Sequence, residues 1–306
     1  MKLTNKYDLP RALVKAAEAF GRRSPQPKRR ISVTQLIGPA RIRQLERTHF
    51  HELTEDVTDR IWAIFGSAVH VVLEKGAHLD SLAEEKLEWL FDDFMVTGVP
   101  DLYEGEGRLL DWKVVGVRSL ADGVKDEWTA QLNVYAELYR QHGFVVTTAA
   151  IVALFRDWTE GQRMTHEDYP PRVGVYPVQL WPSAQVRQYI SSRLTLHRLV
   201  EDEYGDVDCT EAERWARPTK HAVMLKSQKR AKKLLDTREA AEAYIADKLT
   251  EKQRVGASVV ARLGQSTRCS GGYCRVAQWC PQWAQLQLTH REEAPGEPTE
   301  GVANEE

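Results

Sequence analysis

Two aspartates and a lysine, in the stretch Thr97-Gly-Val-Pro-Asp101-Leu-Tyr-Glu-Gly-Glu-Gly-Arg-Leu-Leu-Asp111-Trp-Lys113, have the types and spacing that metal-assisted chemistry needs. Residues 95–103 and 108–117 are rich in Val, Leu, Tyr and Trp and are expected as the arms of a β-hairpin, with Gly105-Glu106-Gly107 as its turn. A three-residue turn pairs Glu104 with Arg108. Counting back, Asp101 falls opposite Asp111 on one face, and the period of two keeps Lys113 on that face. Facing carboxylates repel each other, and a divalent cation between them removes the repulsion. Hard oxygen ligands of this kind suit Mg²⁺ or Mn²⁺. An ordinary solvated strand face shows the same alternation, so the hairpin alone does not decide. Gly105-x-Gly107 lacks the third glycine and following helix of a nucleotide loop and is read as turn chemistry only.

The elements around the hairpin must then bring further ligands to it. A helix is expected over about Asp56 to Lys75, with Ile61, Ile64, Phe65, Ala68, Val69, Val72 and Leu73 on a broad apolar face and its end before Gly76. Gly66, His70 and Glu74 form one stripe on it, and a glycine there lets another backbone come close. His70 is either a satisfied core histidine or a metal ligand; Glu74 is a further ligand or a partner behind the ligands. After the hairpin, Glu127 to Gln141 reads as an amphipathic helix with Trp128, Leu132, Tyr135 and Leu138 near one side and Gln131 one turn before Tyr135.

Pro100-Asp101, Asp111-Trp-Lys113, the upstream Gly66-x-x-x-His70 and the downstream Gln131-x-x-x-Tyr135 together resemble the PD-(D/E)XK nuclease superfamily. The nearest likeness is to its RecB-like branch, including phage exonucleases and the four-cysteine nucleases of CRISPR systems. In motif order the match spans roughly residues 30 to 205. The resemblance implies an α/β restriction-endonuclease-like core with a central mixed sheet flanked by helices. It also implies that His70 ligates the metal and that Gln131 and Tyr135 lie beside the active site, touching DNA or the groups behind the ligands.

The chain has 306 residues, enough for one large domain or a domain with a smaller attachment, and its 42% hydrophobic and 28% charged content is ordinary. No run approaches a membrane span and no apolar segment follows Met1, so a cytoplasmic protein, in the host cytoplasm if phage-encoded, is expected. Net charge is −2, but the cations cluster. Arg22, Arg23, Lys28, Arg29, Arg30, Arg41, Arg43 and Arg47 stand against the single acid Glu46, and seven Lys/Arg lie from Arg217 to Lys233 with no acid. Such runs are solvated faces or, in a nuclease, phosphate contacts. The expected organisation is an N-terminal helix (Leu13, Val14, Ala17, Phe20) and basic linker over 1–30, and a core over 31–205. A basic, cysteine-bearing segment follows over 206–290, then an acidic, disordered tail over 291–306. Ser32-Val-Thr-Gln35 resembles a capping box opening a helix that Gly38-Pro39 interrupts. Strands are expected over Thr148–Phe155 and Val173–Leu180, and a helix from Ser183 to about Tyr204.

The four cysteines, Cys209, Cys269, Cys274 and Cys280, all lie in the last third, the last three spaced C-x₄-C-x₅-C. The choices are buried thiols, an iron–sulfur cluster or structural Zn²⁺, and spacing alone does not decide between the metals. The four-cysteine nucleases place one cysteine before the core and three near the C-terminus around a [4Fe–4S] cluster. This chain has the triplet but no upstream cysteine, so Cys209 would be the fourth ligand.

These readings converge on Mg²⁺- or Mn²⁺-dependent hydrolysis of DNA phosphodiesters by an exonuclease of phage or bacterial recombination, repair or replication. His70, Asp101, Asp111 and the main-chain carbonyl of Trp112, with Glu74 in reserve, are the metal ligands; Lys113 orients water or offsets charge; Gln131 and Tyr135 position the strand. Trp112 and Trp128 are candidates for stacking on bases as well as for core packing. DNA, as single strands or duplex ends, is the expected partner. Processive members of the superfamily form rings or join helicases, so a homo-oligomer or a recombination partner is a further expectation, carried by no residue here. Two other readings remain: a nuclease-fold module that binds without cutting, and a nucleic-acid-binding protein in which the cysteine segment acts and the hairpin is incidental.

Overall fold

The computed structural model describes residues 1–19, 27–202, 207–226 and 228–293; Arg22, Arg23, Phe20 and the acidic tail past 293 lie outside them. The chain divides into two compact units, Met1–Val207 and Asp208–Glu306.

The first unit runs β1 (Lys2–Thr4), α1 (Arg11–Ala19), β2 (Arg30–Ser32), α2 (Val33–Ile37), α3 (Ala40–Thr48), β3 (Thr54–Asp56), α4 (Ile61–Lys75), β4 (Leu82–Ala83), β5 (Leu87–Phe91), β6 (Phe94–Gly98), β7 (Leu102–Glu104), β8 (Arg108–Val115), α5 (Asp126–Gln141), β9 (Thr148–Phe155), α6 (Glu160–Thr165), β10 (Val173–Val178) and α7 (Ser183–Glu201). The N-terminal segment is part of this unit. β1 pairs in parallel with β3, and the Arg60 guanidinium donates to the Ala17 carbonyl at 2.7 Å. The Ser32–Gln35 capping box is formed, and Gly38-Pro39 separates α2 from α3.

The fold is mixed α/β. A five-stranded sheet has the order β10-β9-β8-β7-β4, parallel only between β8 and β9, which α5 connects. A second sheet, β2-β6-β5, is parallel at β2/β6 and antiparallel at β5/β6. The expected long first arm of the hairpin is therefore two strands in two sheets. Pro100, which has no N–H to give a ladder, lies between β6 and β7. The turn itself is as expected: Glu104 pairs with Arg108, and Gly107 adopts a φ of 81° that a side chain would resist. Strand β5, which the sequence reading did not include, ends at Phe91, and Asp92, at positive φ, turns the chain back into β6.

Helix α5 is the spine of the unit. Asp126 and Glu127 in its first turn and Arg140 in its last complement the helix dipole. It is buried nearly all round, with Leu132, Leu138 and Tyr139 fully so; truncating either leucine to alanine costs about 2–5 kcal/mol. Its buried polar residues are tied. Asn133 donates to the carbonyls of Thr129 and Gln179 and accepts from the Trp181 amide, and Glu137 accepts from Ser183, Arg187 and Gln141. These bonds fix the start of α7 against α5. At Gly98 a Cβ would lie 2.7 Å from Tyr135 Cε1, so only glycine lets α5 approach β6 this closely.

Helix α4 departs from expectation. None of its apolar residues is fully buried: Ile61, Ile64, Val69 and Leu73 are half-buried, and Trp62, Phe65 and Val72 are exposed. Gly66 admits no neighbouring backbone either, for nothing lies within 4 Å of the place its Cβ would take.

The second unit contains β11 (Ala216–Arg217), β12 (Lys220–Met224), β13 (Lys233–Leu235), α8 (Arg238–Lys248), α9 (Glu251–Arg254), β14 (Ser258–Arg262), β15 (Gln265–Ser266), α10 (Thr267–Ser270) and α11 (Pro281–Glu293). The β11/β15 pair is a neck. Beyond it, residues 218–264 form a small antiparallel sheet, β13-β12-β14, with α8 against it, closed over Val223, Ala241 and Leu249. No helix among the described residues is long and apolar enough to cross a membrane.

Candidate functional site

The register of β7 and β8, extended by one residue beyond Leu102↔Leu110, places Asp101 opposite Asp111. Both are buried, at 8% and 1% exposure. Their carboxylates have different partners. Asp101 Oδ2 accepts the Trp112 amide at 2.6 Å, and its Oδ1 lies 3.4 Å from His70 Nδ1. Asp111 Oδ2 lies 2.5 Å from Lys113 Nζ, while its buried Oδ1 has no hydrogen-bond donor. The N–H and C=O of a strand residue face the same side, so the Trp112 carbonyl faces Asp101 as its amide does.

His70, Glu84 and Asp101 present ligand atoms within 4.8 Å of one another. His70 Nδ1 is 3.2 Å from Glu84 Oε1. Glu84 is the residue that sequence reasoning missed. It follows the two-residue strand β4, whose pairing with β7 brings it to Asp101, and its amide donates to the Asp101 carbonyl at 3.2 Å. Only that strand pairing signals it. The four-residue spacing on α4 pointed to Glu74 instead, but Glu74 is exposed and outside the group; its charge reaches Glu84 without joining the ligands.

The electrostatics describe a site short of cation. The hydrogen bond to Asp101, then the charges of Asp101 and Glu84, raise the His70 imidazolium to about 9. Burial raises Glu84, opposed by His70. Burial also raises Asp111, helped by Asp101 and opposed by Lys113 and His70. An orphaned carboxylate oxygen beside three clustered ligands fits a divalent ion bound by oxygen and one imidazole.

Lys113 Nζ donates to Gln131 Oε1 at 3.3 Å, and Gln131 Nε2 donates to Tyr135 Oη at 3.3 Å. The α5 pair thus holds the lysine against Asp111, one link behind it. Burial raises the Tyr135 phenol, so it stays protonated. Trp128 is buried in the core, with Lys113 Nζ 5.9 Å from its ring centroid, and Trp112 packs beside Leu102, Leu110, Ala150 and Val152; core packing is what both do.

Of the first basic run, most described members are consumed internally. Arg43 and Arg47 meet the buried Glu201 at 2.5 and 2.9 Å, Arg29 binds Asp202, Arg30 binds Glu88, and Arg41 donates to the Val207 carbonyl. They are not free phosphate contacts. The second run differs: Lys226, Lys229, Arg230 and Lys232 lie on the β12–β13 connection.

None of the four cysteines is in a disulfide. The β11/β15 pair draws residues 209 and 269 toward one end of the neck. Cys209 is pushed up to about 12 by burial, then by Glu213 and the other three cysteines; Cys269 is pushed up to about 11 by burial and by Cys274 and Cys280. Cys209 and Cys269 therefore feel neighbouring sulfurs, and a cation beside them would favour their thiolates. Gln282 locks the Cys209 backbone, accepting from its amide and donating to its carbonyl, both at 2.9 Å.

Neither a protein-family model nor a curated protein matches the sequence. Among solved structures, the crystal structure of SSO0001 aligns at 16% identity with a TM-score of 0.43, covering 61% of this chain and 84% of its own. A superposition that loose carries no argument about fold or function.

Proposed function

We propose that this protein is a Mg²⁺- or Mn²⁺-dependent deoxyribonuclease of exonuclease type, with a restriction-endonuclease-like core, acting on DNA in the cytoplasm. The observation that carries the reading is Asp111: a carboxylate 1% exposed, with one oxygen on Lys113 and the other unpartnered, next to the His70–Glu84–Asp101 group. His70, Glu84, Asp101, Asp111 and the Trp112 carbonyl would hold the metal. Bound there, a divalent ion supplies activation of water and charge neutralisation on the scissile phosphate. The chain does the rest. The Trp112 amide fixes the Asp101 carboxylate, and Gln131 fixes Lys113. Lys113 Nζ is held where it orients a water or offsets negative charge on phosphate oxygens. Tyr135, protonated, keeps Gln131 in place.

For the cysteines the same reading favours a [4Fe–4S] cluster over Zn²⁺. A second reading, nucleic-acid binding by the second unit alone, is favoured by its basic β12–β13 connection.

The test is digestion of end-labelled linear and circular DNA with Mg²⁺, Mn²⁺ or EDTA. Metal-dependent loss of linear DNA only, reduced about 10²–10³-fold or more by Asp111→Ala and by Lys113→Ala, is the expected result. Wild-type rates in both variants overturn the site. Binding without cleavage under every metal favours the second reading.

A further inference from the structure

Helix α4 carries His70 toward the site, yet Trp62, Phe65 and Val72 stand 60%, 46% and 68% exposed on it. Trp62, Gly66 and His70 are four residues apart and share one row of the helix. At 1.5 Å per residue the row runs about 12 Å from the indole to the imidazole, roughly the span of three to four stacked nucleotides at ~3.4 Å each. Gly66 leaves the middle of the row bare, with nothing within 4 Å above its Cα side. We propose that this row is a platform for single-stranded DNA, on which an unpaired base stacks against Trp62 while the strand passes over Gly66 to the metal ligands.

Two contacts prepare the indole. Phe65 meets it edge-on, with centroids 6.4 Å apart at 85°, and the Arg156 guanidinium lies 4.1 Å from the Trp62 ring centroid. Arg156 makes no ion pair among the described residues, so its N–H groups are left for an anion. That cation selects the occupant. An apolar partner protein would cover Trp62 and strand the guanidinium without a counter-charge. A single strand brings a flat base for the indole and a phosphate for the arginine, one beside the other. A duplex keeps its bases inside and offers only the phosphate. The proposal rests on the nuclease reading and specifies its substrate.

The experiment measures binding of a labelled oligo(dT) and of a blunt hairpin duplex to the full chain, with Ca²⁺ replacing Mg²⁺, beside cleavage of both with Mg²⁺. Trp62→Ala, at an exposed site, should keep the wild-type melting temperature. It should weaken oligo(dT) binding about 5–100-fold and duplex binding less than about twofold. Trp62→Phe should restore most of the loss. Arg156→Ala should reduce the slope of log K against log salt by about 0.7, one phosphate contact on a single strand. If Trp62→Ala binds oligo(dT) like wild type while wild type cleaves, the platform is overturned and the nuclease reading stands. Equal loss on both substrates overturns the single-strand preference. Unchanged DNA affinity with a fall from dimer to monomer mass shows a second copy covering the row, which also overturns it. If wild type cleaves no DNA with any metal, the nuclease reading itself fails, and the platform with it.

Discussion

The acidic site of the first unit and the cysteine site of the second are both sets of potential metal ligands, but they are built in opposite ways. In the first, each ligand hangs on an element with its own reasons to form: Asp111 on β8, Asp101 and Glu84 at the ends of paired strands, His70 on α4. The Trp112 amide and Gln131 hold the side chains of Asp101 and Lys113. In the second, the cysteines lie on short elements and connections, gathered by a two-residue strand pair. Hard ligands on a sheet can wait for their ion. Thiols at a neck, raised toward 12 and 11 at Cys209 and Cys269, hold their protons, so a metal bound there would have to displace them and its binding would be coupled to folding.

The largest expected effect separates these two modes. Cys209→Ser should abolish metal uptake at the neck and expose residues 208–217 and 265–280 to limited proteolysis, while EDTA treatment of wild type should leave the melting of the first unit unchanged. If EDTA unfolds the first unit, the acidic site is not preassembled and the contrast fails. A smaller effect lies within the acidic site. Glu84→Gln should weaken Mn²⁺ binding about 10–100-fold by calorimetry, and Glu74→Gln by less than about twofold. The reverse ranking would return the ligand role to the helix stripe.

The smallest concerns pH. In the metal-free protein His70 is raised to about 9 by Asp101, above its ordinary ~6.5 when unfolded. The stability it contributes is therefore complete below about pH 6.5 and is lost as pH climbs through about 9. A histidine binds a metal only as the neutral imidazole, so Mn²⁺ competes with that proton. Affinity should rise by up to about tenfold per pH unit toward 9 and level off there, and His70→Gln should flatten the rise. An unchanged profile in that variant removes His70 from the ligand set.

The hairpin register was legible because the turn residues and the period of two leave little choice: Glu104 pairs with Arg108, and the rest follows. The capping box at Ser32, the span of α5 to within a residue, and β9 were legible for the same local reasons. The apolar face of α4 was legible as a pattern but not as an exposed one, since a hydrophobic period says which residues share a side, not what lies against it. Two basic runs of similar density likewise read alike. One closes on Glu201, more than 150 residues away; in the other Lys220 meets Asp236, and Lys226, Lys229, Arg230 and Lys232 lie on the β12–β13 connection.

The sequence by itself determined which side chains share a strand face or a helix row, because those relations are set by local geometry: Asp101 with Asp111 and Lys113, Gln131 with Tyr135, Gly66 with His70. Only the tertiary structure decided which rows meet. It chose Glu84 over Glu74, split the first hairpin arm between two sheets at Pro100, spent Arg43 and Arg47 on Glu201, and left Trp62 open. Those choices depend on contacts between residues far apart in the chain, and such contacts, unlike periodicity or a tight hairpin turn, leave no mark in any short stretch of sequence.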